Sequence, residues 1–347
     1  MGLIDGDARQ RLRDFLTDVA GAPVLITAFE KLSGGAIQEN WLLDISVNGG
    51  EWAGGRKLVL RRDARSRVST SHDRVQEFAL LKQAHKAGVT VPLPCLLATD
   101  EDILGGPFFI MHRVEGTAAG HKLVKRPEDD NLAAELGKQL ARIHTIKADE
   151  TLSFLDVPEG SPAFAAVAIY RRYLDELLNE LGQSRPALEW GLRWLELNAP
   201  ETGDIVLCHR DYRTGNYMVD DAGQLTGILD WEFSGWGEQE EDIGWFCAKC
   251  WRFGADDRAA GGIAGRDAFY RAYEDESGRT IDRSRVDYWE TMAHVRWAVI
   301  ACQQAARHVS GEQVSLELAL TQHLVPELEM EILARTGATM IGEAADA

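Results

Sequence analysis

The spacing of apolar residues changes along the chain, and this change limits the folds available to it. Three early runs, VLITAFEKL, WLLDISV and RKLVLRR, are short and strand-like, and glycine-rich segments separate them. They predict an antiparallel meander. From about residue 130 onward the spacing becomes mainly helical, with apolar residues three or four positions apart. We therefore expect an α+β fold in which a sheet precedes a helical part.

Other segments complete the predicted N-terminal part. Helical spacing over residues 7–19 predicts an initial helix, and a second apolar stripe runs from His72 to Lys86, with Gly88 placed to end that helix. CLLAT and FFIMHRV predict two more strands. The small-residue stretch EGTAAG follows them. We place the lobe boundary there, giving predicted domains 1–113 and 114–347, as the length prior for 347 residues suggests.

The helical part contains one predicted interruption. Helices are expected at LAAELGKQLARIHTI, AVAIYRRYLDELLNEL, PALEWGLRWLELN and in two amphipathic segments after residue 285. Between Ile205 and Asp230 the pieces DIVLCH, NYMVD and QLTGILD are strand-like instead. The last two predict a hairpin that turns at Asp220 to Gly223.

Charge and cysteine content exclude several classes of function. A net charge of −18 argues against a nucleic-acid-binding surface, which needs clustered basic residues, and leaves a cationic substrate open. No apolar stretch of about 18 residues occurs, so no membrane span is predicted. Five scattered cysteines and the absence of a secretory signal suggest reduced thiols and a cytoplasmic protein. Cys247 and Cys250 form a C-x-x-C that we interpret as core rather than metal site.

The segment H-R-D-Y-R-T-G-N, from His209 to Asn216, carries the strongest chemical signal, followed by I-L-D-W-E at residues 228–232. In-line phosphoryl transfer needs a carboxylate to orient the attacking hydroxyl and accept its proton, and oxygen ligands that hold Mg²⁺ against nucleotide phosphates. Asp211 is the predicted catalytic carboxylate. Asn216 and Asp230 are the predicted metal ligands, because the hairpin returns the chain to the same edge.

These motifs resemble the catalytic and metal-binding loops of the aminoglycoside phosphotransferase and choline kinase family, distant relatives of the protein kinases. The resemblance implies a protein-kinase-like, two-lobed fold and ATP- and Mg²⁺-dependent phosphorylation of a hydroxylated small molecule. Asp230-Trp231-Glu232 replaces the D-F-G of protein kinases. Arg210 stands where small-molecule relatives usually carry glycine. The late part of the chain is most similar to phosphotransferase domains associated with acyl-CoA dehydrogenases, which suggests a hydroxyacyl thioester as one possible acceptor.

The same resemblance assigns further roles. Ser33, Gly34 and Gly35 would contact phosphates through a turn between two strands, although for this segment taken alone a plain hairpin turn is the favoured interpretation. Arg61 would replace the phosphate-binding lysine of kinases, with Arg62 as its rival and Glu77 as its ion-pair partner. Adenine would lie against the strand FFIMHRV, near the backbone of Met111 and Arg113.

Supporting residues and alternatives complete the predictions. His209 is expected to brace the catalytic loop, and Asp242 to brace or cap it, as in the family pattern. Tryptophans near the loop, Trp231, Trp236, Trp245 and Trp251, would form either core or an acceptor pocket. A nucleotide-binding regulator without catalysis is the main alternative function. A protein kinase is disfavoured because D-W-E replaces D-F-G and no A-P-E follows.

Overall fold

The fold is described from a computed structural model, for residues 6–32, 38–64, 71–182 and 184–337. The chain forms two compact units. The first contains Met1–Thr117, Ala148–Phe154 and Tyr217–Phe233, and the second contains Ala118–Lys147, Leu155–Asn216 and Ser234–Ala347. The division predicted at residue 113 places residues 148–154 and 217–233 in the C-terminal lobe, whereas both segments belong to the first unit.

The strands in the described residues are β1 (Val24–Lys31), β2 (Gln38–Val47), β3 (Gly54–Asp63), β4 (Pro94–Ala98), β5 (Phe108–His112), β6 (Ile205–Cys208), β7 (Tyr217–Val219), β8 (Leu225–Ile228) and β9 (Gly235–Glu238). The first five form one antiparallel sheet in the order β1-β2-β3-β5-β4. This confirms the predicted meander and its two later strands. β7 and β8 form the predicted hairpin.

The α-helices in the same residues are α1 (Gly6–Ala20), α2 (Arg74–Lys86), α3 (Glu101–Leu104), α4 (Gly120–Leu123), α5 (Asp130–Thr145), α6 (Pro162–Leu181), α7 (Pro186–Leu197), α8 (Gln239–Cys247), α9 (Arg266–Ser277), α10 (Arg283–Val309), α11 (Leu316–Thr321) and α12 (Val325–Arg335). Single 3₁₀ turns occupy Glu150–Leu152, Lys249–Trp251 and Gln322–Leu324. The described part of the chain has no helix that is both long and apolar enough to span a membrane.

In the first unit, one face of the sheet is covered by α1. Leu12 and Leu16 of α1 are fully buried in one core with the strand residues Leu43, Leu58 and Leu60. α2 begins at a capping box, in which Asp73 accepts a hydrogen bond from the Gln76 amide and the Gln76 side chain accepts one from the Asp73 amide. This cap fixes the first turn of α2, where Arg74 and Glu77 lie.

In the second unit, five helices pack against α10, namely α6, α7, α8, α11 and α12, and part of that packing depends on glycine. A Cβ atom at Gly244 of α8 would lie 2.7 Å from the Trp289 Cβ and 2.8 Å from its carbonyl carbon. The two helices therefore approach as closely as their backbones permit. Cys247 is fully buried beside them, and burial raises the pKa of its thiol to about 12. This agrees with the interpretation of Cys247 as a core residue.

Candidate active site

The segment from His209 to Asn216 forms a loop after β6 in the second unit, and Asp242 of α8 fixes its start. β6 pairs with β9, and this pairing sets where the loop begins. The Asp242 carboxylate accepts hydrogen bonds from the backbone amides of His209 at 2.6 Å and Arg210 at 2.7 Å. Arg210 adopts φ 62°, a left-handed conformation that is costly for a residue with a Cβ atom. Asp242 therefore stabilises an unfavourable turn, as predicted for a brace.

Asp242 is itself buried and held ionised by neighbouring donors. Burial acts to raise its pKa, but the hydrogen bond with His144 and the positive ends of the loop amides outweigh this effect and lower the pKa below its usual value. His144 Nε2 lies 3.3 Å from Asp242 Oδ2, and His144 Nδ1 lies 2.8 Å from the Tyr273 hydroxyl. The loop is thus tied through Asp242 to α5 and α9.

Asp211 is oriented by hydrogen bonds to both carboxylate oxygens. The Asn216 side-chain amide donates to Asp211 Oδ2 at 2.5 Å and to the Asp211 carbonyl at 2.9 Å. Trp245 Nε1 and Arg213 Nε each donate to Oδ1 at 3.0 Å. The Asp211 side chain is 14% exposed, so the carboxylate is not wholly enclosed by these donors. The structure thus brings predicted residues Asp211 and Asn216 into contact.

Sequence reasoning missed the contribution of Trp245 and Arg213 to this carboxylate. Trp245 was expected only as core or pocket wall, and it is buried at 3% exposure, yet its indole nitrogen points at Asp211. Arg213 lies two positions after Asp211, and that spacing could have suggested an ion pair. His209 is buried, and its Nδ1 accepts the Asp211 amide at 3.2 Å, in line with the predicted bracing role.

In the first unit, Arg61 of β3 lies in a cluster of carboxylates. Its Nε donates to Glu77 Oε2 at 3.0 Å, so the predicted Arg61–Glu77 ion pair is present. Its Nη1 lies 3.0 Å from Asp230 Oδ1. Burial acts to lower the Arg61 pKa, but the carboxylates of Glu77, Asp230 and Glu232 together raise it above its usual value. Arg61 is therefore a permanent cation positioned by α2 and the segment after β8.

A second arginine, Arg74, completes the cluster and was not predicted. It is fully buried, pairs closely with Glu77, and lies 2.8 Å from Asp63 Oδ1 and 3.7 Å from Glu232 Oε2. Gln38 donates to the same Glu232 oxygen at 2.6 Å. Arg74 precedes Glu77 by three positions in α2, a spacing that places two side chains on one helix face and could have indicated this pair.

The cluster has the chemistry expected of residues that bind a metal-bound polyphosphate. Four carboxylates surround two guanidinium groups. Burial raises the pKa of Glu232 to about 7, and the neighbouring carboxylates of Glu77 and Asp230 act in the same direction. Asp230 is 35% exposed and offers oxygen, the ligand that Mg²⁺ prefers. Arg61 Nη2 is buried, makes no hydrogen bond among the described residues and lies 3.9 Å from Glu232 Oε1.

The remaining predicted residues have more ordinary surroundings. Arg62 contacts Glu39 and the Leu104 carbonyl, and so lies outside the cluster around Arg61. Arg113 donates its backbone amide to the Lys57 carbonyl at 3.0 Å, so that amide is already engaged within the first unit. Met111 pairs with Val59 and Pro94 within the sheet. Ser33, Gly34 and Gly35 lie outside the described residues.

Comparison with known proteins agrees with this architecture. The chain is 26% identical over 197 residues to acyl-CoA dehydrogenase family member 10 of Mus musculus, a match that covers 55% of this chain and 18% of that protein. The chain spans between 18% and 29% of the length of the first curated relatives that it matches.

Solved structures share its fold. A Ralstonia eutropha chain assigned as an aminoglycoside phosphotransferase superposes with a TM-score of 0.72 at 19% identity, covering 95% of this chain and 98% of the other. Spectinomycin phosphotransferase, solved with ADP and spectinomycin, gives a TM-score of 0.62 at 15% identity, covering 92% and 97%. The fold is thus the predicted α+β kinase-like fold. The sequence pattern of the phosphotransferase enzyme family matches residues 28–287, and the chain belongs to this family.

Proposed function

We propose that this protein is a cytoplasmic enzyme that transfers the γ-phosphoryl group of ATP to a hydroxyl group of a small molecule, in a reaction that requires Mg²⁺. The observation that carries the proposal is the fixed orientation of Asp211, whose two carboxylate oxygens accept hydrogen bonds from Asn216, Arg213 and Trp245. Membership of the phosphotransferase enzyme family supports the reaction class.

In the proposed reaction Asp211 holds the acceptor hydroxyl and receives its proton. A bond forms between the acceptor oxygen and the γ-phosphorus, the bond from that phosphorus to the bridging oxygen of ADP breaks, and ADP leaves with the electron pair. Asp211 needs little movement for this role, because its neighbours already set its rotamer. Such preorganisation lowers the barrier, since no donor has to be reoriented during transfer.

The nucleotide would be held by residues of the first unit that carry charge. Arg61 would donate to phosphate oxygens, while Glu77 and Arg74 position it. Asn216 and Asp230 would hold Mg²⁺ through oxygen atoms. When bound, the ion neutralises charge that develops on the phosphate oxygens. Ser33, Gly34 and Gly35, with the backbone of Met111 and Arg113, remain the proposed contacts to phosphate and adenine.

Substitution of Asp211 tests the proposal. Asp211→Asn keeps the shape of the side chain but cannot accept the proton, so ADP release with an accepted acceptor should fall by roughly 10²–10⁴-fold while Mg-ATP binding persists. Asp221→Asn, an exposed aspartate on the β7–β8 turn, is the matched control and should retain full activity. Undiminished turnover of Asp211→Asn would refute the role of Asp211. Wild-type protein that binds Mg-ATP but phosphorylates no member of a broad acceptor panel would favour the regulator instead.

A further inference from the structure

The second unit contains a cavity of about 80 Å³ between α6, α10 and the 3₁₀ turn at Gln322–Leu324. The α6 residues that line it are three positions apart, and those of α10 follow the spacing i, i+3, i+4 and i+7, so each helix presents one face to the cavity. This apolar wall is formed by Leu174, Leu177, Cys302, Ala305, Ala306 and Val309.

The cavity is open to the surface and has room for a small molecule. Val309 is 71% exposed whereas Cys302 is 5% exposed, so the lining runs from the surface into the protein. Each water-sized group needs about 10–15 Å³, which leaves room for about five to eight non-hydrogen atoms. Apolar walls bind water poorly, and an unfilled cavity is unfavourable because its lining atoms lack contacts. An apolar group of this size would supply those contacts.

Two polar side chains at the cavity favour an uncharged ligand. Arg185 lies 3.8 Å from Glu329 of α12, and both side chains are 21% exposed, so its charge is already balanced. Burial raises the pKa of the Cys302 thiol, and the charges of Arg185 and Glu329 act on it in opposite directions. Gln322 is uncharged and offers both an amide donor and an amide acceptor. A neutral hydroxyl or carbonyl group therefore matches this lining better than an ion.

The cavity lies on a different face of α10 from the candidate active site. Arg296 of α10 donates to the Arg210 carbonyl at 2.7 Å, which directs this part of the helix to the catalytic loop. Cys302 follows Arg296 by six positions, so it lies about 9 Å further along the helix and about 120° around it. The cavity is therefore separate from the residues that contact Asp211.

We propose that this cavity is a binding site for a neutral amphiphile. An alkyl group of about four to seven carbon atoms would fill the space between the leucines of α6 and the small side chains of α10. A hydroxyl or carbonyl oxygen at its end would form a hydrogen bond with Gln322. The site does not depend on the proposed phosphotransferase reaction, and binding is measured without turnover.

Alkylation of Cys302 tests occupancy, because its thiol lines the cavity. The protein is treated with N-ethylmaleimide at alkaline pH, with and without 1-hexanol, and the labelled peptides are quantified by mass spectrometry. At about ten times the dissociation constant, the rate for Cys302 should fall about tenfold by mass action. Cys95 of the first unit, which is partly exposed, is the internal control and should react at an unchanged rate. Equal effects of hexanol on the two thiols would overturn the proposal.

Chain length distinguishes a cavity of fixed size from general adsorption. In calorimetric titrations of 1-alkanols from ethanol to nonanol, affinity should rise about fourfold with each added CH₂ group. The rise should stop between butanol and heptanol, where the cavity is filled. A rise that continues through nonanol would refute the site. Hexanoate and hexylammonium should bind at least about tenfold more weakly than hexanol, since a charged head loses hydration beside a balanced pair. Equal binding of all three would refute the neutral ligand.

Filling the cavity provides the matched variant. Ala306→Leu adds three carbon atoms to the wall and should weaken hexanol binding at least about tenfold. Ala168→Leu makes the same change at an exposed position of α6 and should leave binding unchanged. Melting temperatures show which variants fold. Unchanged hexanol affinity in folded Ala306→Leu would refute the proposal, and the chain-length series on the wild-type protein decides it if that variant does not fold.

Discussion

Replacing Asp242 by Asn tests how strongly one buried carboxylate maintains the catalytic loop. Asp242 accepts backbone hydrogen bonds from both His209 and Arg210, at 2.6 and 2.7 Å. An asparagine retains one carbonyl oxygen, so one of these amides faces an NH₂ group and loses its acceptor. Hydrogen bonds to charged groups contribute about 1.5–3 kcal/mol, and an unsatisfied buried donor costs about 1–3 kcal/mol. We therefore expect the free energy of unfolding to fall by roughly 2–4 kcal/mol.

The loss should also affect catalysis, because Arg210 then has less support in its left-handed conformation and Asp211 shifts with it. We expect kcat to fall by roughly 10–100-fold, because small misplacements of reacting groups lower rates by such factors. Urea unfolding followed by tryptophan emission measures the first effect, and ADP release the second. Asp204→Asn is the control, since its side chain is 82% exposed and surface pairs contribute little. A loss below about 0.5 kcal/mol with unchanged kcat would refute the bracing role.

Three further predictions concern packing, buried charge and pH. Gly244→Ala places a Cβ atom 2.8 Å from the α10 backbone and should destabilise the protein by about 3 kcal/mol. Gly106→Ala is the control, because open space surrounds that position. Thermal unfolding measures the difference, and equal melting temperatures for the two variants would contradict the prediction. Glu77→Gln removes a carboxylate from two buried guanidinium groups, and the free energy of unfolding, measured in urea, should fall by about 3–5 kcal/mol. A loss below about 1 kcal/mol would count against the ion-pair cluster. His294 is buried, and desolvation lowers its pKa to about 4, below the unfolded value, so the unfolded chain binds the extra proton. The contribution of His294 to the free energy of unfolding should therefore be complete above pH 6.5 and fall by up to about 3 kcal/mol toward pH 4. His294→Gln should make the free energy of unfolding less dependent on pH in this range. Parallel pH profiles for wild type and variant would refute the role of His294.

Local patterns predicted the regular elements well. The first helix was expected over residues 7–19 and spans Gly6–Ala20. The hairpin at residues 217–228 turns at Asp220 to Gly223, as the sequence indicated. β9 was missed because its sequence, Gly-Trp-Gly-Glu, lacks apolar alternation, and it forms a strand because β6 supplies its hydrogen bonds. α9 was missed because charged residues leave it only a narrow apolar stripe.

Candidate site residues were predictable where a motif keeps them close in sequence. Asp211 and Asn216 are five positions apart, and their contact follows from one loop. Arg74 was not predictable in the same way, because its role depends on Asp63 and Glu232, which come from distant segments. Arg296 is more than eighty positions from Arg210, whose carbonyl it binds, so only the folded chain places it beside the loop.

The discontinuous path of the first unit limits how the chain can be divided. Thr117 and Val219 exchange backbone hydrogen bonds at 2.9 and 3.1 Å, and the Ile228 amide donates to the Thr90 carbonyl at 2.8 Å. A fragment that ends at residue 117 would lose these partners and would leave Arg74 without Glu232. Proteolytic cleavage after residue 117 should accordingly yield pieces that stay associated until denaturant is added. A gene could transfer the first unit to another protein only together with the later hairpin.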